Sequence, residues 1–331
     1  MLHINTIGRF MMIGVFSSLL LLNAKDTQIQ LKEYDAEKIA DVFYALNGNP
    51  NDPHKKINHA KGFCTRGEFI PAKNITKKFD IPLLAEKNIP TQIRYSLGGG
   101  NPQASDKSKP RGIALKIEGK NDSWEIVALN TEINFAKNPN EFGTFFAMQI
   151  PKNGKVDKAN IAKLTEEVDS YRNFAKYMEK IGITGSVANT MYHSIHTFFM
   201  KDSRSKKFVP ARFKLVPVAG VSYLNQEELR TKDDNFLEAD FKNKIAQKPI
   251  EYKLVFVLAN PEDSIYDTTA LWSGKHKEIE VGTLKVSKYD GTDCNRDVFM
   301  PNVLPNGIGQ PQDPLFDVRN ETYSITFGRR Q

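Results

Sequence analysis

Apolar residues change their period several times along this chain, and each change marks an element. Over residues 28–47 they fall at helical spacing (Ile29, Leu31, Tyr34, Ile39, Val42, Phe43, Leu46), and the run ends at Asn47-Gly48. A loop rich in Asn, Pro and Lys follows. The period then drops to two in 62–70, 91–97, 111–118 and 123–129, each bounded by Gly, Pro, Asn or Asp. Within 111–118, Ile113, Leu115 and Ile117 alternate with Ala114, Lys116 and Glu118, the pattern of a half-buried antiparallel strand. Helical spacing returns over 156–181 (Ile161, Leu164, Val168, Tyr171, Phe174, Tyr177, Met178) and stops near Gly182. Strand patterns resume at 197–199, 208–217, 250–258 and 279–288, and the last 20 residues read as a second clear helix. The economical assembly is α+β: an antiparallel β-barrel or curled sheet with helices packed around it. No repeat or low-complexity linker divides the chain, so residues 25–331 are expected to form one domain.

Composition narrows the class. Among 331 residues, 40% are hydrophobic and 26% charged, which is globular, and 21 Phe against two Trp predict a phenylalanine-rich core. The net charge of +7 is spread among interleaved acids, with no basic arm of the kind that binds nucleic acid. Residues 10–22 carry no charge and are followed by Asn23-Ala24 and then Lys25-Asp26. That apolar run falls short of the ~20 residues a membrane span needs, and it has the form of a secretory signal cleaved near Ala24. The expectation is an exported, periplasmic chain with no transmembrane segment after cleavage. Export would permit a disulfide between the two cysteines, Cys64 and Cys294; two buried free thiols fit equally well.

Candidate chemistry concentrates at the C-terminus. Asp313-Pro314 reads as a helix N-cap followed by proline, and from there Arg319, Tyr323 and Arg330 share one helix face. A phenol between two guanidiniums is suited to being a phenolate, the form in which tyrosine ligates ferric haem. The same helix also reads as an ordinary core stripe (Leu315, Phe316, Tyr323, Phe327) with arginines at its edges. His59, at the entry to the first strand, suits general acid–base transfer, although a lone histidine is more often structural. Ser96 and Asn130 are polar residues in apolar surroundings that could orient such a histidine or hold a small oxygenated ligand; both also fit strand-end turns.

Taken in order, these segments resemble the catalase superfamily, and most nearly its minimal bacterial branch, the catalase-related peroxidases. His59-Ala60-Lys61-Gly62 leading to Gly67-Glu68-Phe69 is similar to the family's distal-histidine strand, and Ile93-Arg94-Tyr95-Ser96 to the strand behind it. Arg111 to Lys116, then Leu129-Asn130-Thr131 ending at Phe135, resemble the next two segments, and Tyr192 to Phe198 a later strand. Trp272 with Ile279 to Leu284, then Phe299-x-Pro301, Gly307-Ile308, Asp313-Pro314 and Arg319-x-x-x-Tyr323, resemble the approach to the proximal helix and its ligand motif.

The resemblance implies a closed antiparallel barrel with surrounding helices that binds haem b. In that reading Tyr323 is the iron ligand and Arg319 holds its phenolate. Arg94 and Arg330 pair with the propionates, and Lys56 stands where catalases often have an arginine, keeping charge without the bidentate fork. His59 and Asn130 face peroxide with Ser96 behind His59, while Phe135 and Phe142 wall the porphyrin. Set against full catalases, the resemblance leads to the expectation of a protein without their C-terminal domain and long N-terminal arm, and with readier access to the haem. The implied activity is a peroxidase that reduces hydrogen peroxide or organic peroxides with an organic electron donor, with weak or no catalase turnover. A non-catalytic exported haem carrier is the alternative, and an oligomeric state is left open.

Overall fold

The computed structural model describes residues 30–331, so the apolar run and the cleavage expected near Ala24 lie outside the described residues. The strand-period segments form the strands. They are β1 Gly62–Pro71, β2 Ile89–Leu97, β3 Arg111–Glu118, β4 Ser123–Leu129, β5 Tyr192–His193, β6 Phe198–Lys201, β7 Phe208–Pro217, β8 Ile250–Leu258, β9 Lys277–Tyr289 and β10 Ile308–Gly309. Every pairing between them is antiparallel. Neighbours run β7-β5-β4-β3-β2-β1-β9-β8, and β8 pairs back onto β7, which closes an eight-stranded barrel. β6 continues along the β7 edge that β5 leaves, and β10 adds to β6. Alternate residues of each strand fill the interior, with Phe69, Trp124, Phe213 and Phe256 among the bulkiest.

Helices pack outside this ring: α1 Ala36–Asn47, α2 Pro139–Ala147, α3 Lys158–Glu167, α4 Asp169–Lys180, α5 Gln226–Thr231, α6 Phe236–Ile245 and α7 Phe316–Gly328. The Asp35 carboxylate caps α1 by accepting from Lys38 N. α2 was not expected, although its start is written locally: Asn138 accepts from Glu141 N and Pro139 occupies the first turn. The long helix expected over 156–181 is two, because Val168 adopts an extended conformation between α3 and α4. Among the described residues, no helix is long and apolar enough to cross a membrane. Residues 31–331 form one compact unit. The cysteines form a disulfide, with Cα atoms 5.8 Å apart across a sequence separation of 230.

Candidate active site

Between the barrel wall (β2, β3, β4) and helices α1, α2, α4 and α7 lies a cavity of about 490 Å³. Of the residues singled out above, Lys56, His59, Arg94, Ser96, Phe135, Phe142, Arg319, Tyr323 and Arg330 all line it. Asn130 does not, although Leu129 and Thr131 on either side of it do. Its Oδ1 accepts from Arg111 N at 2.7 Å, because the chain turns there to leave β4, so its side-chain oxygen is spent on closing the strand end.

His59 is held by its backbone. At φ 51° it occupies the left-handed region, which costs a residue with a β-carbon about 1 kcal/mol or more. Two contacts keep it there: Asn58 Oδ1 accepts its N–H at 2.9 Å, and Arg94 Nη2 donates to its carbonyl at 2.6 Å. Its Nδ1 lies 3.0 Å from Ser96 Oγ. The ring rests against Gly112 of β3, where a Cβ would sit 3.0 Å from Ser96 Oγ and 3.1 Å from His59 Cε1. Burial, with Arg94, Arg319 and Lys56 nearby, pushes the imidazole down to about 3, so it is neutral at any ordinary pH.

On the opposite wall the arrangement is made of side chains. Arg319 Nη2 donates to Tyr323 Oη at 3.3 Å, one helical turn away. Arg319 Nη1 lies 2.7 Å from His196 Nε2, and His196 Nδ1 lies 2.7 Å from an Asp313 carboxylate oxygen. A guanidinium only donates, so Nε2 accepts and Nδ1–H donates to Asp313. Burial pushes His196 below its ordinary range, which suits that neutral tautomer. Burial alone would raise the Asp313 carboxyl, but His196, the Leu315 N–H and Arg319 together hold it low. This corrects the reading of Asp313 as an N-cap. The helix begins at Phe316 with Leu315 as its cap residue, and Asp313 instead accepts from Leu315 N while anchoring His196. Neither His196 nor Asp313 was expected at the site, since 117 residues separate them.

Along one side of the cavity three cations meet. Arg94 donates from Nε to Asn295 Oδ1 at 2.7 Å, and Gly62 makes room for its guanidinium: a Cβ there would be 2.6 Å from Nη2. Arg330 donates to the carbonyls of Asn295 and Asp297, and Lys56 Nζ donates to Asp297 O at 2.7 Å. Their hydrogen-bond partners are all neutral, carbonyls or an amide, and the Asp297 carboxylate only partly offsets the charge of Lys56 and Arg330. Burial, Arg94 and Arg330 push Lys56 down to about 6, so an acidic group brought beside it would favour its charged form. Such a cluster is built to receive acidic groups of a ligand. The remaining lining is apolar and includes Phe43, Phe145, Phe146 and Phe174, with Phe135 stacked on Phe145 at 4.0 Å. A flat, apolar macrocycle with acidic substituents and a metal open to a phenolate fits these residues on each count.

A closed antiparallel barrel with this chemistry between its wall and the outer helices places the protein among oxidoreductases that act on peroxide and are built as catalases are. The chain belongs to the catalase family, whose model matches residues 52–331, and that membership implies a haem cofactor. It is 28% identical over 284 residues to the catalase-related peroxidase of Synechococcus elongatus, covering 83% of each chain. It is equally identical to that of Mycolicibacterium paratuberculosis, covering 83% of this chain and 88% of the relative. Similarity to the Helicobacter pylori catalase is 25% and spans 58% of that protein. The fold is similar to the structure of catalase A from Saccharomyces cerevisiae, with a TM-score of 0.75 at 17% identity over 83% of this chain and 61% of that one.

Proposed function

We propose that the chain is a haem b peroxidase that reduces hydrogen peroxide or organic peroxides at the expense of an organic electron donor, with little catalase turnover. The observation that carries this reading is that a neutral histidine backed by a serine shares one cavity with a helix-borne tyrosine that accepts from an arginine. Similarity reaching across most of two catalase-related peroxidases, against 58% of the H. pylori catalase, supports peroxidase over catalase. The Cys64–Cys294 disulfide supports export to an oxidising compartment, in line with the periplasmic expectation.

In this reading Tyr323 Oη ligates the metal while Arg94, Arg330 and Lys56 receive the propionates and Phe135 and Phe142 flank the ring. The bound haem supplies the electrons that break the O–O bond. The chain's own contribution is proton transfer and electrostatics. With Nδ1–H donated to Ser96 Oγ, His59 Nε2 carries a lone pair, takes the proton from one peroxide oxygen and returns it to the other, which leaves as water. Arg319 donates to the tyrosine oxygen, and His196 and Asp313 fix the guanidinium from behind. Asn130, with its Oδ1 committed to Arg111 N, has its NH2 left to donate toward peroxide.

His59→Ala should leave the haem absorption spectrum in place and slow the reaction with peroxide by about 10²–10⁴-fold in stopped flow. Tyr323→Phe should remove the tyrosinate high-spin ferric signature. An alanine variant that reacts with peroxide as fast as the parent would show a haem carrier instead of an enzyme.

A further inference from the structure

The disulfide and the cation cluster share a segment. Cys64 lies on β1 two residues after Gly62, and its N–H and carbonyl pair with Gly291 O and Asp290 N beyond the end of β9. Cys294 sits in the single helical turn 293–295, and its N–H donates to Cys64 Sγ at 3.0 Å. The next residues of the chain are those that the cations bind. Asn295 offers Oδ1 to Arg94 and its carbonyl to Arg330, while its Nδ2 donates back to Gly62 O at 3.1 Å. Asp297 offers one carbonyl to both Lys56 and Arg330. So each of the three cations at the cavity is oriented by residues 295–297, which the disulfide ties to the barrel wall. Both cysteines are buried against Phe299, which itself lines the cavity.

We infer that Cys64 and Cys294 are positioning residues for the cofactor's acidic groups: their bond holds Asn295 and Asp297 where these aim Arg94, Arg330 and Lys56 into the cavity. The inference rests on the haem reading given above. It is distinct from a general stabilising role, because it predicts a loss confined to a ligand that carries carboxylates. Without the bond, the segment is held to β1 by hydrogen bonds alone, those of Asp290 and Gly291 with the Cys64 backbone and of Asn295 Nδ2 with Gly62 O, so residues 295–297 are less firmly placed. The three cations, repelling one another in a buried place, then lose the partners that hold them in register.

The test compares two iron porphyrins, haem b and its dimethyl ester, loaded into the wild type, Cys64→Ser/Cys294→Ser and Asn295→Ala. Loss of each porphyrin to excess apomyoglobin is followed by absorbance. Losing one or two charge-assisted contacts should speed loss of the diacid about ten-fold or more in both variants, and leave loss of the ester within about two-fold of wild type. Asn295→Ala keeps the disulfide, so it carries the test if the serine double variant does not fold. The inference is overturned if Asn295→Ala retains the diacid as wild type does. It is also overturned if a variant loses both porphyrins equally fast, the mark of general loosening, or if a folded serine double variant retains the diacid. Wild type that holds diacid and ester alike would remove the cation cluster as a carboxylate grip while leaving haem binding intact. Wild type that binds neither would remove the haem reading, and this inference with it.

Discussion

The two walls of the cavity reach order by different means. His59 is set by its backbone: a left-handed φ, an Asn58 cap, an arginine on its carbonyl and a glycine beneath its ring. Tyr323 is set by side chains: Arg319, His196 and Asp313 in series, spanning a helix, an interrupted strand and the loop before the helix. The first arrangement places one small ring that burial and the neighbouring Arg94, Arg319 and Lys56 keep neutral. The second sets the opposite charges of Arg319 and Asp313 on either side of a neutral His196, so each link matters to the next. A reactive group that must stay uncharged is best placed by geometry. One that must carry negative charge is best placed by donors.

That contrast predicts an order of effects. Removing the anchor of the charged chain should cost most: Asp313→Ala leaves His196 and Arg319 without their carboxylate, a loss of about 3 kcal/mol in urea unfolding. Ser96→Ala, the matching truncation on the other wall, should cost only about 1 kcal/mol. Equal losses would erase the distinction. Gly112→Ala should come next, since its added Cβ must displace Ser96 Oγ or the His59 ring. Reaction with peroxide should slow about ten-fold, with the Tyr323 signature unchanged; a variant at parental rate would mean that the glycine contact does not set His59. The smallest effect is on pH dependence. The His59 pKa is lowered to about 3, so its base form is present at every pH above that value and is lost only as pH falls through it. Peroxide reactivity should therefore show no step near 6.5 between pH 5 and 8. A step there would place His59 in water and not against the buried cations.

How much of this was legible in the sequence follows from how far apart the partners lie. Strands such as β3 and β4 show in the chain because one face of each is buried, and alternation is a local record of that. Arg319 and Tyr323 are four apart on one helix, so their meeting is also local. His196 and Asp313 meet only when the barrel and α7 are both in place, and no spacing encodes that. Asp313-Pro314 carried a genuine helix-start signal, yet tertiary demand from His196 took the carboxylate and the helix began two residues later than that signal placed it. Asn130 shows how one polar side chain can carry two local signals: the strand-end turn claims its oxygen, while its NH2 is not used by that turn. The division of 156–181 into α3 and α4 at Val168 was hidden because helical periodicity continues across the break.

The closure of the barrel has a consequence for how the chain is made. β1, β2, β3 and β4 are consecutive neighbours and can pair as they leave the ribosome. The other flank of β1 belongs to β9, so its hydrogen-bonding groups wait for the synthesis of most of the remaining protein. Until then the growing chain presents an open edge of the kind that recruits other strands. The cysteines sit at one end of that seam, Cys64 just before the first paired residue of β1 and Cys294 five residues past the end of β9. The bond can therefore take its native place only once β9 has been made and laid beside β1.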